Sequence, residues 1–148
     1  MSTRSYICEE LKNGKYNTIY CHWDGYLENN GYLLENYYRN RKKVKNLLAL
    51  GDISSLAEKI DPDPNKPHNF DNHQENVVVA YGRDRGETDI NARELTCEEL
   101  TNQDSWIEFI YIFDRRGKWQ VLEYPFDEKK SLKTELRKVM KKQSDTQM

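Results

Sequence analysis

The chain has 148 residues and a formal net charge of −2, with 36% apolar and 32% charged residues. This length is typical of one domain, and 10 tyrosines, 4 phenylalanines and 3 tryptophans supply large apolar side chains that disordered chains lack. The near-neutral charge argues against a domain built mainly to hold nucleic acid, and no apolar run approaches the ~20 residues that span a bilayer.

The three cysteines, Cys8, Cys21 and Cys97, have no CxxC spacing. An odd number without that spacing predicts neither a disulfide framework nor a zinc ribbon, and it is typical of a reducing compartment. The first residues also lack the apolar segment of a signal peptide. We therefore expect a cytoplasmic protein with no membrane contact.

The chain begins with a predicted hairpin over residues 4–10 and 16–23, which are rich in β-branched and aromatic residues. The connection contains Asn13-Gly14, the strongest short signal for a type I′ turn. Residues 31–50 then show apolar spacings of three and four, which predict a helix, and Gly51 is placed to end it.

The middle of the chain predicts a loop, a strand and a short helix. Residues 58–75 hold Pro62, Pro64 and Pro67 among Asp and Asn, which predicts a mobile loop inside a single domain, 1–148. Residues 77–81 are apolar and predict a central strand. Thr96 and Glu99 have the spacing of a capping box, so a helix should begin there.

The last third predicts a second hairpin, from residues 106–113 and 119–124, followed by a basic helix that ends near residue 142. We expect residues 143–148 to be frayed. Taken together, the order of elements predicts an α+β fold: an antiparallel or mixed sheet built from two hairpins and a central strand, with helices packed on it.

One polar constellation follows the second predicted strand. If the strand continued, alternation would place His22 and Asp24 on one face, where a charged histidine binds phosphate or acts in acid–base chemistry. Gly25 would allow the chain to turn beside them. The alternative interpretation is a strand end whose aromatic residues pack and whose Asp24-Gly25 pair only forms the turn.

A second constellation follows the strand at 77–81. Arg83 and Arg85 lie in a loop bracketed by Gly82 and Gly86, where two guanidinium groups would clamp a phosphate or carboxylate. A surface ion pair of Arg83 with Asp84 is an equal alternative. Charge runs at 39–45 (basic), 84–104 (acidic) and 129–142 (basic) are interpreted chiefly as solvated faces.

Four blocks of the sequence resemble a family of small uncharacterised proteins from phages, prophages and other bacterial mobile elements. The blocks are Thr3-Arg4-Ser5, Ile19-Tyr20-Cys21-His22-Trp23-Asp24-Gly25-Tyr26, Leu50-Gly51-Asp52-Ile53-Ser54-Ser55-Leu56 and Val79-Ala80-Tyr81-Gly82-Arg83-Asp84-Arg85-Gly86-Glu87. Leu27 stands where a common family form has proline. The resemblance carries no reaction, but it implies a host-directed phage protein that acts in the host cytoplasm.

The resemblance implies a binding protein that antagonises a bacterial anti-phage defence, by one of two modes. As a sponge for a small phosphorylated nucleotide, it would contact phosphate through Arg4, His22, Arg83 and Arg85 and stack a base on Trp23 or Tyr26. As an inhibitor of a defence protein such as a CRISPR effector, it would use its acidic segment at 84–104 and aromatic anchors. The sequence leaves both modes open.

Other functions are less favoured by the residue pattern. His22, Asp24, Asp52 and Asp84 are the residues from which a metal-dependent nuclease or phosphodiesterase would be assembled, but no HExxH, GxSxG or phosphate-loop motif accompanies them. His68 and His73 have no spacing that suggests a site. Direct nucleic-acid binding through the basic C-terminal helix is a further alternative. We expect no cofactor and no metal, and the pattern specifies no oligomeric state.

Overall fold

The computed structural model describes residues 2–102 and 106–146. Within these residues, eight strands form one mixed sheet with five α-helices, which confirms the α+β fold. The strands are β1 (Arg4–Glu10), β2 (Tyr16–Cys21), β3 (Ile53–Ser55), β4 (Val79–Ala80), β5 (Arg93–Leu95), β6 (Ile107–Phe113), β7 (Trp119–Glu123) and β8 (Lys130–Ser131). The helices are α1 (Tyr32–Tyr37), α2 (Arg41–Leu48), α3 (Tyr81–Arg85), α4 (Cys97–Thr101) and α5 (Leu132–Thr146).

The sheet has the strand order β4-β3-β2-β1-β6-β7-β8. Both predicted hairpins are present, as the antiparallel pairs β1–β2 and β6–β7, and the two hairpins join through a parallel pairing of β1 with β6. The outer edge of β2 is shared: β5 pairs with its beginning and β3 with Cys21 at its end. The strand at 77–81 shrinks to β4 at the end of the order, and not at its centre. Its apolar residues are buried because Val78 and Ala80 join the helix-covered core, not because strands flank both sides.

The first hairpin turn differs in type from the prediction. Gly14 has a φ of +83°, but Asn13 keeps a negative φ, so a type I′ turn is excluded. The Leu11 carbonyl accepts from the Gly14 N–H at 3.1 Å, and the Asn13 side chain accepts from the Lys15 N–H at 2.9 Å. Asn13 therefore acts through its side chain, and only Gly14 needs the left-handed conformation.

The helix predicted for residues 31–50 is divided. A π-helical turn at Leu27–Gly31 runs into α1, and α2 begins anew after the Asn40 side chain accepts a hydrogen bond from the Lys43 N–H at 2.8 Å. The chain breaks at Tyr38 because its carbonyl accepts from the Trp119 indole at 2.8 Å instead of continuing a helical ladder. Gly51 follows α2 with a φ of +79°, in the left-handed conformation expected for it.

The two faces of the sheet are covered unequally. Helices α1, α2 and α5 bury the larger core, which includes Ile7, Ile19 and Tyr111. The opposite face carries a smaller cluster around Tyr6, Tyr16 and Ile110, onto which α4 places only Leu100. Helix α4 has five residues, and the cluster to which it contributes Leu100 includes no residue of β3 or β4, so this face is less covered where those strands lie.

The capping box at α4 is confirmed: Glu99 N–H donates to the Thr96 hydroxyl at 3.1 Å, and Thr96 N–H donates to the Glu99 carboxylate at 2.9 Å. The helix predicted at the C-terminus is present as α5, but it continues to Thr146, beyond the predicted end near residue 142 and into the segment expected to fray. Residues 147–148 lie outside the described residues. The loop at 58–75 is tied by Gln74, whose side chain donates to the Asp63 and Lys66 carbonyls at 3.0 and 3.1 Å. Its mobility stays a prediction. In the described ranges, no helix combines the length and the hydropathy needed to cross a membrane.

The three thiols differ sharply in environment, and we expect only Cys97 to react rapidly with a thiol reagent in the native protein. Cys8 and Cys21 are buried, and burial raises the pKa of Cys8 to about 12 and that of Cys21 to about 11. Titration with a chromogenic disulfide should therefore give one fast thiol before denaturation and three after it. Cys97→Ser should abolish the fast phase; a second thiol of similar rate would show that the sheet is more open than described.

Candidate functional site

The ends of β2, β3 and β4 meet in one row across the less covered face of the sheet. His22 N–H donates to the Ile53 carbonyl at 3.2 Å, and Tyr81 N–H donates to the Asp52 carbonyl at 3.4 Å. Arg4 begins β1 on the other side of β2, where Ser5 pairs with Cys21. The segments that begin at Thr3, Ile19, Leu50 and Val79 are therefore neighbours in space. We call the row that they form the strand-end surface: Arg4, Tyr20, His22, Ser54, Tyr81 and Arg85.

The loop after β2 is fixed by backbone contacts. Gly25 N–H donates to the Thr3 carbonyl at 2.8 Å, and the Gly25 carbonyl accepts from the Tyr111 hydroxyl at 2.5 Å. A side chain at Gly25 would lie only 2.8 Å from the Thr3 carbonyl oxygen, which explains the glycine. The buried Asn30 donates to the Ser5 hydroxyl at 3.2 Å. These contacts hold the segment that carries His22 and Trp23 against β1.

His22 is paired with Tyr20 and not with Asp24. Its Nδ1 lies 2.7 Å from the Tyr20 hydroxyl. The expected alternation does not reach Asp24, because β2 ends at Cys21 and Asp24 turns into the left-handed region with a φ of +54°, leaving its side chain exposed. Burial lowers the pKa of His22 below its ordinary value, and the positive charge of Arg4 lowers it further. His22 is therefore mainly uncharged at pH 7.

Two tyrosines present hydroxyl groups on the same surface. Burial raises the pKa of Tyr20, and the nearby charge of Arg4 offsets part of the effect. Burial also raises the pKa of Tyr81, and a hydrogen bond with Ser54 and the charge of Arg85 offset part of this rise. Both phenols consequently stay protonated at neutral pH and remain hydrogen-bond donors.

Arg83 is used to hold the fold. Its guanidinium donates to the Ile60 and Val78 carbonyls at 2.6 Å each, and its Nε donates to Asp84 at 2.9 Å. The side chain thus connects the loop at 58–75 to β4. Although Arg83 belongs to a segment beside the strand-end surface, these bonds occupy the guanidinium that the sequence suggested as a phosphate contact.

His68 belongs to the same structural cluster. Its Nδ1 accepts the Gln74 N–H at 3.0 Å, so the ring proton lies on Nε2, which is 3.2 Å from the Asp84 carboxylate. Both side chains are buried, with 4% and 3% exposed. Nε2 has no well-aligned hydrogen-bond acceptor, and its contact with Asp84 is mainly electrostatic. We call His68, Gln74, Arg83 and Asp84 the loop clamp.

Arg85 lies at the far end of the strand-end surface from Arg4. Its guanidinium is 4.1 Å from the centre of the Phe70 ring and 5.1 Å from that of Tyr81. It also pairs with Glu87 at 2.8 Å, and both side chains are well exposed, so this ion pair is weak and open to exchange. Arg85 therefore keeps the ability to bind an anion that Arg83 has lost.

The rim of the surface is aromatic. Trp23 is 46% exposed and packs edge-on against His22, with ring centres 4.7 Å apart. Tyr26 is 40% exposed on the loop that follows. Trp106, which precedes the residue opposite Arg4, is 80% exposed. Tyr124 is 71% exposed but follows β7, two strands away from β1 and outside this rim. Exposed rings of this size are available to stack on a ligand or to anchor a partner.

The carboxylates expected for a metal-dependent enzyme are not assembled. Asp52 accepts from Arg93 at 2.9 and 3.1 Å, and Asp84 belongs to the loop clamp. Across residues 2–102 and 106–146, no group of three or more His, Cys, Asp and Glu side chains is arranged to hold a metal ion.

Several members of each charge run have partners within the fold. In α2, Arg41 and Lys45 neutralise the buried Glu9 at 2.8 and 3.1 Å. In α5, Lys138 pairs with Glu135 at 3.0 Å. In the acidic run, Glu87 pairs with Arg85 and Glu99 closes the capping box, whereas Asp104 lies outside the described residues.

Sequence reasoning named Arg4, His22, Trp23, Tyr26 and Arg85, all of which lie on or around this surface. It did not single out Tyr20, Ser54 and Tyr81 as site residues. Tyr20 precedes His22 by two positions, so the period of a strand would have placed them together. Ser54 and Tyr81 become visible only when β3 and β4 pair. No protein-family model matches the chain, and searches of the curated proteins and of the solved structures find no match.

Proposed function

We propose that this chain is a binding protein of a phage or mobile element that antagonises a bacterial defence by sequestering a small phosphorylated nucleotide. The observation that carries the proposal is the strand-end surface itself. It places two guanidinium groups, two protonated phenols and an uncharged imidazole in one row with aromatic rings beside them. The family resemblance supplies the context of phage–host conflict.

The chemistry of the surface suits an anionic ligand rich in hydrogen-bond acceptors. Arginine binds phosphate through charge-assisted hydrogen bonds, and the Tyr81 phenol can donate to sugar or phosphate oxygens. Tyr20 and His22 share one hydrogen bond, so this pair keeps one free donor, on the tyrosine oxygen or on the histidine Nε2, for the same purpose. Trp23 offers an exposed ring on which a base can stack. Catalysis is less favoured by this arrangement, since His22 is engaged by Tyr20 and Asp52 by Arg93.

The test is native mass spectrometry of the protein purified from cells that express a nucleotide-signalling defence, together with phage plating on those cells. We expect a nucleotide that is released on denaturation, and restored plaque formation. Arg4→Ala should reduce affinity for the released nucleotide at least about tenfold, the loss of one charge-assisted contact. Arg115→Ala, which removes an exposed arginine from the β6–β7 turn, should leave affinity within twofold.

Two outcomes would contradict the proposal. One is a protein that carries no nucleotide and does not protect phage from any nucleotide-signalling defence. The other is metal-dependent turnover of a nucleotide or nucleic acid that disappears in Asp24→Ala, which would favour the nuclease or phosphodiesterase alternative.

Inhibition of a defence protein is a second candidate function, favoured by the exposure of Trp106 and Tyr124. Tyr124 also borders a cleft of about 270 Å³ whose walls include Glu123, Asp127 and Glu128. Trp and Tyr are common anchors of protein interfaces. In this mode, the acidic surface that contacts the defence protein would be this cleft and not the segment 84–104. A defence protein that co-purifies without a small ligand, and is lost in Trp106→Ala, would support it.

A further inference from the structure

We infer that the strand-end surface takes a ligand of two linked nucleotide units, with one unit at each end, and not a mononucleotide. The inference rests on the proposed function. It names the ligand class from three features of the surface: its length, the position of its charges and the presence of a guanidinium and aromatic rings at each end.

The surface is long because it crosses four strands. Arg4 begins β1, His22 follows β2, Ser54 lies in β3 and Tyr81 follows β4. Neighbouring strands lie about 4.8 Å apart, so the three steps from β1 to β4 span about 14 Å, and Arg85 extends the row further. A single phosphate with its sugar and base would leave one end of such a row empty.

The charges of the row lie at its ends. Arg4 is the cation at the β1 end, and Arg85 is the cation beyond β4. The groups between them are uncharged: the Tyr81 hydroxyl and the hydrogen-bonded Tyr20–His22 pair, which keeps one free donor. This order suits a ligand whose anionic groups are separated by sugar oxygens, since a compact polyphosphate would require adjacent cations.

Each end also offers a guanidinium group and an exposed aromatic side chain in the same region. At the β1 end, the β1–β2 register places Arg4 across from His22, whose ring packs against the exposed Trp23. At the other end, the Arg85 guanidinium lies over Phe70 and beside Tyr81, whose rings stack with centres 5.7 Å apart. A guanidinium with an aromatic ring is the combination that binds a phosphate and the adjoining base.

The exposed Arg85–Glu87 ion pair does not prevent binding. Both side chains face solvent, and exposed pairs contribute little stability, so a ligand phosphate can replace the Glu87 carboxylate at small cost. Linking two units makes the second contact intramolecular, which raises affinity without any new kind of contact.

The experiment is isothermal titration calorimetry of the full chain with the four 5′-mononucleotides, the matching 5′-phosphorylated linear dinucleotides and the corresponding cyclic dinucleotides. We expect one dinucleotide to bind at least about 100-fold more tightly than its mononucleotide. Arg4→Ala and Arg85→Ala should each reduce dinucleotide affinity to about that of the mononucleotide. Arg85→Lys, which keeps the charge and the packing stem, should lose less, and Arg115→Ala should match the wild type.

The outcomes separate this inference from the proposed function. Equal affinity for mono- and dinucleotides, with loss in Arg4→Ala, would overturn the two-unit ligand and leave nucleotide binding standing. Dinucleotide binding that is unchanged by Arg85→Ala, in a variant with wild-type circular dichroism, would also overturn it. Failure of every nucleotide to bind the folded wild type would overturn both.

Discussion

Asp84→Ala is expected to lower the free energy of unfolding by about 3 kcal/mol, because it removes the centre of the loop clamp. The carboxylate is 3% exposed and accepts from the Ala80 N–H at 2.8 Å and from the Arg83 Nε at 2.9 Å. Its removal leaves these two donors without their acceptor and takes away the electrostatic partner of the His68 Nε2. Urea unfolding followed by circular dichroism measures the change.

The same substitution has a defined pH dependence. Burial alone would raise the pKa of Asp84, but the hydrogen bonds from Arg83 and the Ala80 N–H, the contact with His68 and the charge of Arg83 outweigh it, so the pKa is lowered. A carboxylate with a lowered pKa stabilises the fold above its unfolded pKa of about 3.9, and this contribution is lost as the pH falls through the folded value. The difference in the free energy of unfolding between the wild type and Asp84→Ala should therefore be at its full value at pH 6 and should become smaller below pH 4.

Asp71→Ala is the matched control, since it removes an exposed carboxylate from the same loop. It should change the free energy of unfolding by less than about 0.5 kcal/mol. If Asp84→Ala were no more destabilising than Asp71→Ala, the loop would not depend on the clamp, and Arg83 would be available for a ligand after all.

Gly51→Ala is expected to destabilise the protein by at least about 3 kcal/mol, from two sources that add. Gly51 has a φ of +79°, which costs a residue with a Cβ about 1–2 kcal/mol. A Cβ there would also overlap the Ile90 carbonyl oxygen and lie 2.7 Å from the Ile90 Cδ1. That carbonyl accepts from the Asp52 N–H at 2.7 Å, so it cannot move without loss. Overpacking of this kind typically costs a further 1–3 kcal/mol.

Gly86→Ala is the control that measures the cost of the left-handed backbone without the steric clash. Gly86 has a φ of +75°, close to that of Gly51, and a Cβ there would meet no atom within 4 Å. Thermal or urea unfolding should show a loss of only about 1 kcal/mol for Gly86→Ala. Equal losses at the two positions would mean that the loop around Ile90 yields easily, and that the clash contributes nothing.

The sequence predicted the elements with strong local signals. The capping box of Thr96 and Glu99 forms as expected because both of its hydrogen bonds lie within four residues. The two hairpins are also set by short connections. The break after Tyr38 was not predictable, because it depends on the Trp119 indole, which is 81 residues away in the chain.

The candidate site was predicted in part for the same reason. His22 was found because it follows a strand end that local pattern reveals, whereas Arg4 and Trp23 were named as ligand contacts only through the resemblance. The different roles of Arg83 and Arg85 could not be predicted. Only the folded chain brings the Ile60 and Val78 carbonyls to the Arg83 guanidinium and the Phe70 ring to the Arg85 guanidinium. Two arginines that are close in sequence thus acquire different roles, because each contacts residues that are distant in the chain.

The loop clamp has a consequence for genetic dissection of this protein. In a loss-of-function screen, substitutions of Arg83 and His68 should score as strongly as substitutions of Arg4, although the first two touch no ligand in the proposed arrangement. Protein abundance in the same cells would sort them, because unfolded variants are degraded whereas Arg4 variants accumulate. Substitutions that abolish function at normal abundance would then trace the binding surface directly, even before the ligand is identified.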